Sequence, residues 1–304
     1  MTREELNKEI QKEIFAEEKQ VKIKKIIKFI IKLILFLTIF FTLFFTYTTY
    51  ISTMKITVRE YRIVNKKIPD NFNGLKIVQL SDLHFGSTMF NNEVKEIKRL
   101  VNERKPDIVV FTGDLINKEY DLSSKEQEKL IKELKEINAT LGKYAILGDE
   151  DTEKISTIFN QSDFTILRNE YDLIYKDTNT PILLVGISSQ KKQPDIDKAY
   201  NYFAEATHNS NIYTITIMHE PDLVDDITSK YKSDLFLAGH SHNGNIRVPF
   251  INYSFSKVEG AKKYDQDYYE INDSKLYVSS GLGTKNGFRL FCRPSINFFR
   301  LSNK

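Results

Sequence analysis

Five short apolar runs in this chain each end in side chains that bind hard or borderline cations. LKIVQL (75–80) is followed by Ser81, Asp82, Leu83 and His84, and DIVVFT (107–112) by Gly113 and Asp114. YAIL (144–147) is followed by Gly148, Asp149, Glu150 and Asp151. IYTITIM (212–218) leads into His219 and Glu220, and DLFLA (234–238) into Gly239, His240, Ser241 and His242. A lone Asp after a strand is ordinarily a turn or cap residue, and a lone His ordinarily a hydrogen-bonded one. Five such endings, holding four of the five histidines, point instead to one shared site. The fifth, His208, lies in the polar stretch THNSN and reads as a surface residue. Carboxylates and imidazoles suit Mn, Fe or Zn, and the single cysteine, Cys292, excludes both a thiolate zinc site and an internal disulfide. The candidate ligands Asp82, His84, Asp114, Asp149, His219, His240 and His242 exceed one octahedral shell, so two divalent ions are expected. A metal pair about 3.5–4 Å apart can deprotonate a bridging water and stabilise both attacking and leaving oxygens of a phosphoryl transfer. Hydrolysis of a phosphoester is the chemistry these residues suit.

The elements that must bring such ligands together follow from periodicity. Strand-like runs alternate with segments of helical period: in 91–105, Val94, Ile97, Leu100 and Val101 share a face, and after Ser123 so do Leu130, Ile131, Leu134 and Ile137. Further strands are expected at 164–168, 171–176 and 181–187, close enough for a hairpin region, then a helical stretch near 195–206, a strand at 275–280 and two aromatic strands near 288–300. This spacing argues an α/β fold with a mixed or second sheet. Loops at the carboxyl ends of strands in an open α/β sheet converge on one crevice, so distant ligands can meet there.

Ahead of this domain, Leu33 to Met54 is a run of 22 uncharged residues. As a helix it would reach about 33 Å, long enough to span a bilayer. Thr38, Thr42 and Thr46 can return their hydroxyls to the helix backbone. A cleaved signal peptide is disfavoured by the long charged region before the run and the lack of an A-x-A-like site after it. The sequence therefore divides into a charged tail (1–32), whose Leu6, Ile10, Ile14 and Val21 suit an amphipathic helix, a transmembrane anchor (33–54) and a main domain (56–304). Six lysines flank the run on its N-terminal side against five basic residues after it, a thin bias that, with the ease of translocating long domains, favours a single-pass protein with an extracytoplasmic main domain. Lys and Arg total 44 against 41 Asp and Glu, and residues 1–55 hold 10 and 6 of them, leaving 34 against 35 beyond. The main domain thus lacks the basic excess of a nucleic-acid binder.

The ordered motifs KIVQLSDLHFG, FTGDLI, GDED, the lone His219, AGHSHNGNIRVP and YVSSGLGT resemble the calcineurin-like metallophosphoesterase superfamily, and within it the membrane-anchored bacterial branch. The likeness runs from about residue 57 to 302. It implies a four-layer αββα sandwich with a dinuclear centre. Asp82, His84 and His242 would hold the first metal, Asp114 would bridge, and His219 and His240 would hold the second. The third motif departs from the pattern: Asp149 stands where the family has an Asn ligand of the second metal, and Glu150 where it has the His that assists the leaving group. Asp151 matches the acid that orients that His. Glu150 and Asp151 are the expected catalytic pair, though an ionised Glu150 would repel a phosphoryl oxygen and general-acid work would require its protonated form. Three readings follow: a phosphoesterase with a modified acid, a catalytically impaired metalloprotein that recognises a phosphorylated ligand, or an α/β interaction module without metal. A lipid or cell-envelope phosphodiester is a candidate substrate. Asn243, Asn245, Arg289 and Arg293 are further candidates for lining the site or contacting phosphate.

Overall fold

The structure, a computed structural model, describes residues 2–178, 180–205, 208–247, 258–285 and 287–304. The last residues of AGHSHNGNIRVP and the end of the helical stretch expected near 195–206 fall outside them. Residues 1–48 and 49–304 form two separate compact units.

The first unit is helix α1 (Arg3–Thr46), opened by a capping box in which Thr2 and Glu5 satisfy each other's backbone amides. The Thr38, Thr42 and Thr46 hydroxyls donate to the carbonyls of Ile34, Thr38 and Thr42 at 2.9, 2.8 and 2.9 Å, so the apolar segment presents few unpaired polar groups. Among the described residues it is the one helix long and apolar enough to cross a membrane.

The second unit, which includes the short helix α2 (Ser52–Met54), is built on two six-stranded sheets. The first sheet has the order β1 (Thr57–Val64), β12 (Ser295–Ser302), β2 (Lys76–Leu80), β3 (Ile108–Thr112), β4 (Gly142–Ile146) and β5 (Thr165–Ile166). The second has the order β10 (Tyr268–Ile271), β11 (Ser274–Val278), β9 (Leu235–Ala238), β8 (Thr214–Ile217), β7 (Ile182–Gly186) and β6 (Glu170–Ile174). β2 through β5 run parallel, as do β7, β8, β9 and β11, while β12 with β2, β6 with β7 and β10 with β11 are antiparallel pairs.

The two-residue strand period sorts side chains into three cores. In β2, β3 and β4, Val78, Val109, Phe111 and Ala145 pack against helices α3 (Asn91–Arg104), α4 (Ser124–Lys135) and α5 (Glu153–Gln161). Their neighbours Ile77, Ile108, Val110 and Tyr144 face Ile182, Leu184, Ile215, Leu235 and Leu237 of the other sheet. Leu183, Val185, Phe236 and Ala238 point outward to Ala199 of α6 (Ile196–Ala199) and to Leu223, Val224 and Ile227 of α7 (Leu223–Lys230). Both faces of each central strand are thus buried, which is why these strands read as continuous apolar runs. The result is the four-layer αββα arrangement.

Strand β1 was not anticipated, because TVREYRIV is a half-exposed edge strand whose Arg59, Glu60 and Arg62 hide its alternation. β10 was missed for the same reason of partial exposure. Of the two aromatic strands expected near 288–300 only β12 forms, since residues 288–294 instead carry the buried Arg289 described below and contribute a single bridge, Ile246 to Leu290. The stretch near 195–206 is α6 followed by a 3₁₀ turn, Asn201–Ala204.

Phe299 on β12 is fully buried between the sheets and stacks with Tyr61 at 5.3 Å between ring centroids. Phe299→Ala is expected to lower stability by about 3–5 kcal/mol with an unchanged denaturant slope, read from urea unfolding followed by circular dichroism.

Candidate metal centre

All seven candidate ligands come to the carboxyl ends of the parallel strands. Asp82 and His84 follow β2, Asp114 follows β3 and Asp149 follows β4, while His219 follows β8 and His240 and His242 follow β9. The two sheets therefore contribute to one place from opposite sides. Asp82, His84, Asp114, His240 and His242 all have left-handed backbones, with φ between 43° and 66°. That conformation is uncommon outside glycine, and its clustering at one locus marks backbone strain held for function. The glycines preceding two ligands are required by space. A Cβ on Gly113, itself at φ +95°, would lie 2.6 Å from His219 Nδ1, and one on Gly239 would lie 2.0 Å from Ser81 Oγ.

The seven candidate ligands divide between two groups able to hold an ion, Asp82, His84 and His242, and Asp114, Asp149, His219 and His240, and a third group of His84, Asp114 and Glu150 lies between them, the atoms of each lying within 4.8 Å of one another. In the first, His84 Nε2 and His242 Nε2 are 3.0 Å apart and Asp82 Oδ1 is 3.5 Å from His242 Nε2. In the second, Asp149 Oδ1 is 3.3 Å from His219 Nε2 and 3.5 Å from His240 Nδ1. Asp114 Oδ2 faces both groups, at 3.4 Å from His219 Nε2 and 3.8 Å from His84 Nε2.

The imidazoles are oriented for ligation from behind. His219 Nδ1 donates to the Thr112 carbonyl at 2.7 Å and His240 Nε2 to the Glu259 carbonyl at 2.7 Å, which leaves His219 Nε2 and His240 Nδ1 with lone pairs directed into the cluster. Asp149 Oδ1 is buried and accepts no hydrogen bond. Burial opposes a charge on His219, yet Asp114 and Asp149 raise its pKa well above the ordinary imidazole value. Burial also raises the Asp82 carboxyl, whereas burial and the neighbouring His84 and Arg289 push His242 well down. A field strong enough to hold a proton on a buried imidazole is one that attracts a divalent cation, and this donor set of three carboxylates and four imidazoles fits two such ions.

The third motif behaves differently from the expectation. Asp151 accepts from the backbone amides of Asp114, Leu115 and Gly148 at 2.8, 2.9 and 2.8 Å. Its carboxylate staples the loop after β3 to the loop after β4 and makes no contact with the side chain at 150. Burial, followed by repulsion from Asp114, pushes its pKa up to about 6. Glu150 forms an ion pair with Lys285 through Oε1 and turns Oε2 toward His84 Nδ1 at 3.6 Å. Lys191 pairs with Asp149 Oδ2, and Lys192 donates to the Asp151 carbonyl. Lysines therefore reach all three successive acids of the motif. None of the three was legible in the sequence, because Lys191 and Lys192 follow β7 and Lys285 follows β11, strand ends that carry no carboxylate or imidazole to mark a site.

Other expectations divide. Asn245 lines a cleft of about 490 Å³ over the ligands, together with Glu150, Lys191 and Lys285, whereas Asn243 is turned away onto Asp267. Arg289 is fully buried rather than available to phosphate: it donates to the carbonyls of Ser280, Gly281, Gly283 and Cys292, and one nitrogen lies 3.4 Å from His242 Nδ1. Arg293 is exposed. His208 stacks on Tyr202, away from the centre.

Comparison with known proteins agrees with this geometry. The calcineurin-like phosphoesterase profile matches residues 75–244. The chain is 29% identical over 264 residues to the uncharacterized metallophosphoesterase YkuE of Bacillus subtilis, covering 84% of this chain and 89% of that protein. It is 28% identical over 243 residues to phosphodiesterase YaeI of Escherichia coli, covering 76% and 84% respectively. It is also 28% identical over 303 residues to UDP-2,3-diacylglucosamine pyrophosphatase LpxG of Chlamydia muridarum, covering 81% and 89%.

Because Asp151 satisfies three buried amides, Asp151→Ala is expected to cost about 3 kcal/mol of stability and to weaken Mn²⁺ binding about 10- to 100-fold. Urea unfolding and calorimetric Mn²⁺ titration measure the two effects. Unchanged values in both would show that the carboxylate does not staple the loops.

Proposed function

This chain belongs to the calcineurin-like phosphoesterase family, and on that premise we propose that it is a membrane-anchored, dinuclear metallohydrolase of a phosphodiester or pyrophosphate. The observation that carries the reading is the pair of ligand groups, drawn from five strand ends and sharing Asp114 Oδ2. Asp82, His84 and His242 would hold one ion and Asp149, His219 and His240 the other, with Asp114 between them. Divalent ions there, Mn, Fe or Zn, would supply Lewis acidity toward the phosphoryl group and the attacking water. The chain's own part is positional. Thr112 and Glu259 fix two imidazole tautomers, Asp151 fixes the two loops that carry Asp114 and Asp149, and Arg289 supports the wall beside His242.

In this proposal residues 33–54 anchor the chain and residues 56–304, on the extracytoplasmic side, are the catalytic domain. The apolar helix and the named activity of the LpxG relative support an amphiphilic phosphoester presented at the membrane surface as the substrate class. The rival reading, a metal-bound but inert receptor for a phosphorylated ligand, draws on Glu150, and the same experiment separates the two. The purified full-length chain in detergent is expected to bind two Mn²⁺ and to hydrolyse a chromogenic phosphodiester, with His240→Ala slowed by at least about 100-fold. Metal retained without turnover above the His240→Ala variant, with a rate gained in the Asp149→Asn, Glu150→His double variant, would instead establish the inert receptor.

A further inference from the structure

The charge of the proposed centre raises a problem for an anionic substrate. Asp82, Asp114 and Asp149 would leave two divalent ions with one net positive charge, and the Glu150 carboxylate, only 8% exposed, would cancel it. A phosphate approaching through the cleft would then meet no net attraction, unless another cation stood at the mouth.

Resting on the metallophosphoesterase reading, we propose that Lys285 is a substrate-binding residue whose ammonium contacts the phosphoryl oxygens, and that Glu150 is the positioning residue that holds it there. Lys285 pairs with Glu150 Oε1 and lines the same cleft as His84, Asp114 and His240. One of its three N–H groups is committed to the carboxylate, and with the side chain 51% exposed the others remain available to an entering oxygen. The proton stays on nitrogen throughout, so the contribution is charge and hydrogen bonding, with no transfer step.

The loop that carries Lys285 is built to keep it in place. Leu282 and Gly283 donate to the carbonyls of Ser81 and Asp82 at 2.9 and 2.8 Å, binding the loop to the segment that supplies two candidate ligands. Ser87 Oγ donates to the carbonyls of Thr284 and Lys285 at 2.6 and 3.2 Å, and Thr88 Oγ1 accepts from the Thr284 amide at 3.1 Å. Arg289 grips the Gly281 and Gly283 carbonyls from beneath. Glu150 lies between His84 Nδ1, 3.6 Å from its Oε2, and Lys285, and its ion pair is with the ammonium. Lys191 is less suited to the role. It is 70% exposed, and its partner Asp149 would be shared with an ion.

The test uses the full chain in detergent, loaded with Mn²⁺, as wild type, Lys285→Met, Lys285→Arg, Glu150→Gln and the Lys285→Met, Glu150→Gln double variant. Calorimetry reads Mn²⁺ stoichiometry and the Kd of inorganic phosphate, and a chromogenic phosphodiester reads kcat/KM. Lys285→Met is expected to keep the wild-type Mn²⁺ stoichiometry, to weaken phosphate about 10-fold and to lower kcat/KM about 10- to 100-fold, less than the ~10²- to 10³-fold of a buried oxyanion donor because the ammonium is half exposed. Lys285→Arg should recover most of the loss. Glu150→Gln should lower kcat/KM in the wild-type background and add no further loss to Lys285→Met, a coupling that a purely structural Glu150 would not produce. A Lys285→Met variant that binds phosphate and turns over like an active, metal-loaded wild type overturns the lysine assignment alone. A wild-type chain that binds no metal overturns both readings.

Discussion

Buried carboxylates and imidazoles directed at one another are costly to hold without a compensating cation, and the whole second unit is organised around that cost. Asp82, His84, Asp114, His219 and His242 are all nearly inaccessible. An isolated buried charge costs several kcal/mol even after relaxation, and a proton shared among such groups offsets only part of it. Two divalent ions would resolve the same field more completely. The strength of that field follows from the fold, which takes ligands from two sheets and directs them at one another beneath a single cleft.

Holding the ligands there has a local cost of its own. Five of them adopt left-handed backbones, each worth of order 1–3 kcal/mol of strain. The strain persists because the surroundings leave no alternative. The Asp151 carboxylate takes three amides, the Arg289 guanidinium takes four carbonyls, and the Gly113 and Gly239 positions admit no side chain. Beneath them, three apolar cores separated by two sheets supply the stability that such a site draws down, a division common where function requires a strained constellation.

The acids of the third motif show how a substitution that looks damaging in isolation reads differently in context. An ionised Glu150 beside a phosphoryl oxygen would be repulsive by itself. With Lys285 paired to one oxygen, the same carboxylate is offset and holds a cation beside the cleft. Asp149 with Lys191 repeats the arrangement at the neighbouring position. The added negative charge of the motif is thereby offset, residue by residue, from loops that are distant in sequence.

The central strands, the spanning length of the apolar helix and the seven candidate ligands were all legible in the sequence, because each depends on local information: a run of apolar residues buried on both faces, a length, or a polar side chain placed immediately after a strand. Edge strands β1 and β10 were not, since half-exposed strands carry mixed side chains that blur their period. Nor were the roles of Arg289, Asp151 and Lys285. Arg289 and Lys285 look like ordinary surface cations until the loop after β11 folds under the segment after β2, and Asp151 looks like a helper of its neighbour until its oxygens find the amides of another loop. Which strand ends hold the candidate ligands is written in the order of residues. What neutralises, orients and supports those side chains comes from contacts between positions as far apart as Ser81 and Leu282, which only tertiary packing decides, because sequence spacing carries no record of which loops the two sheets bring together.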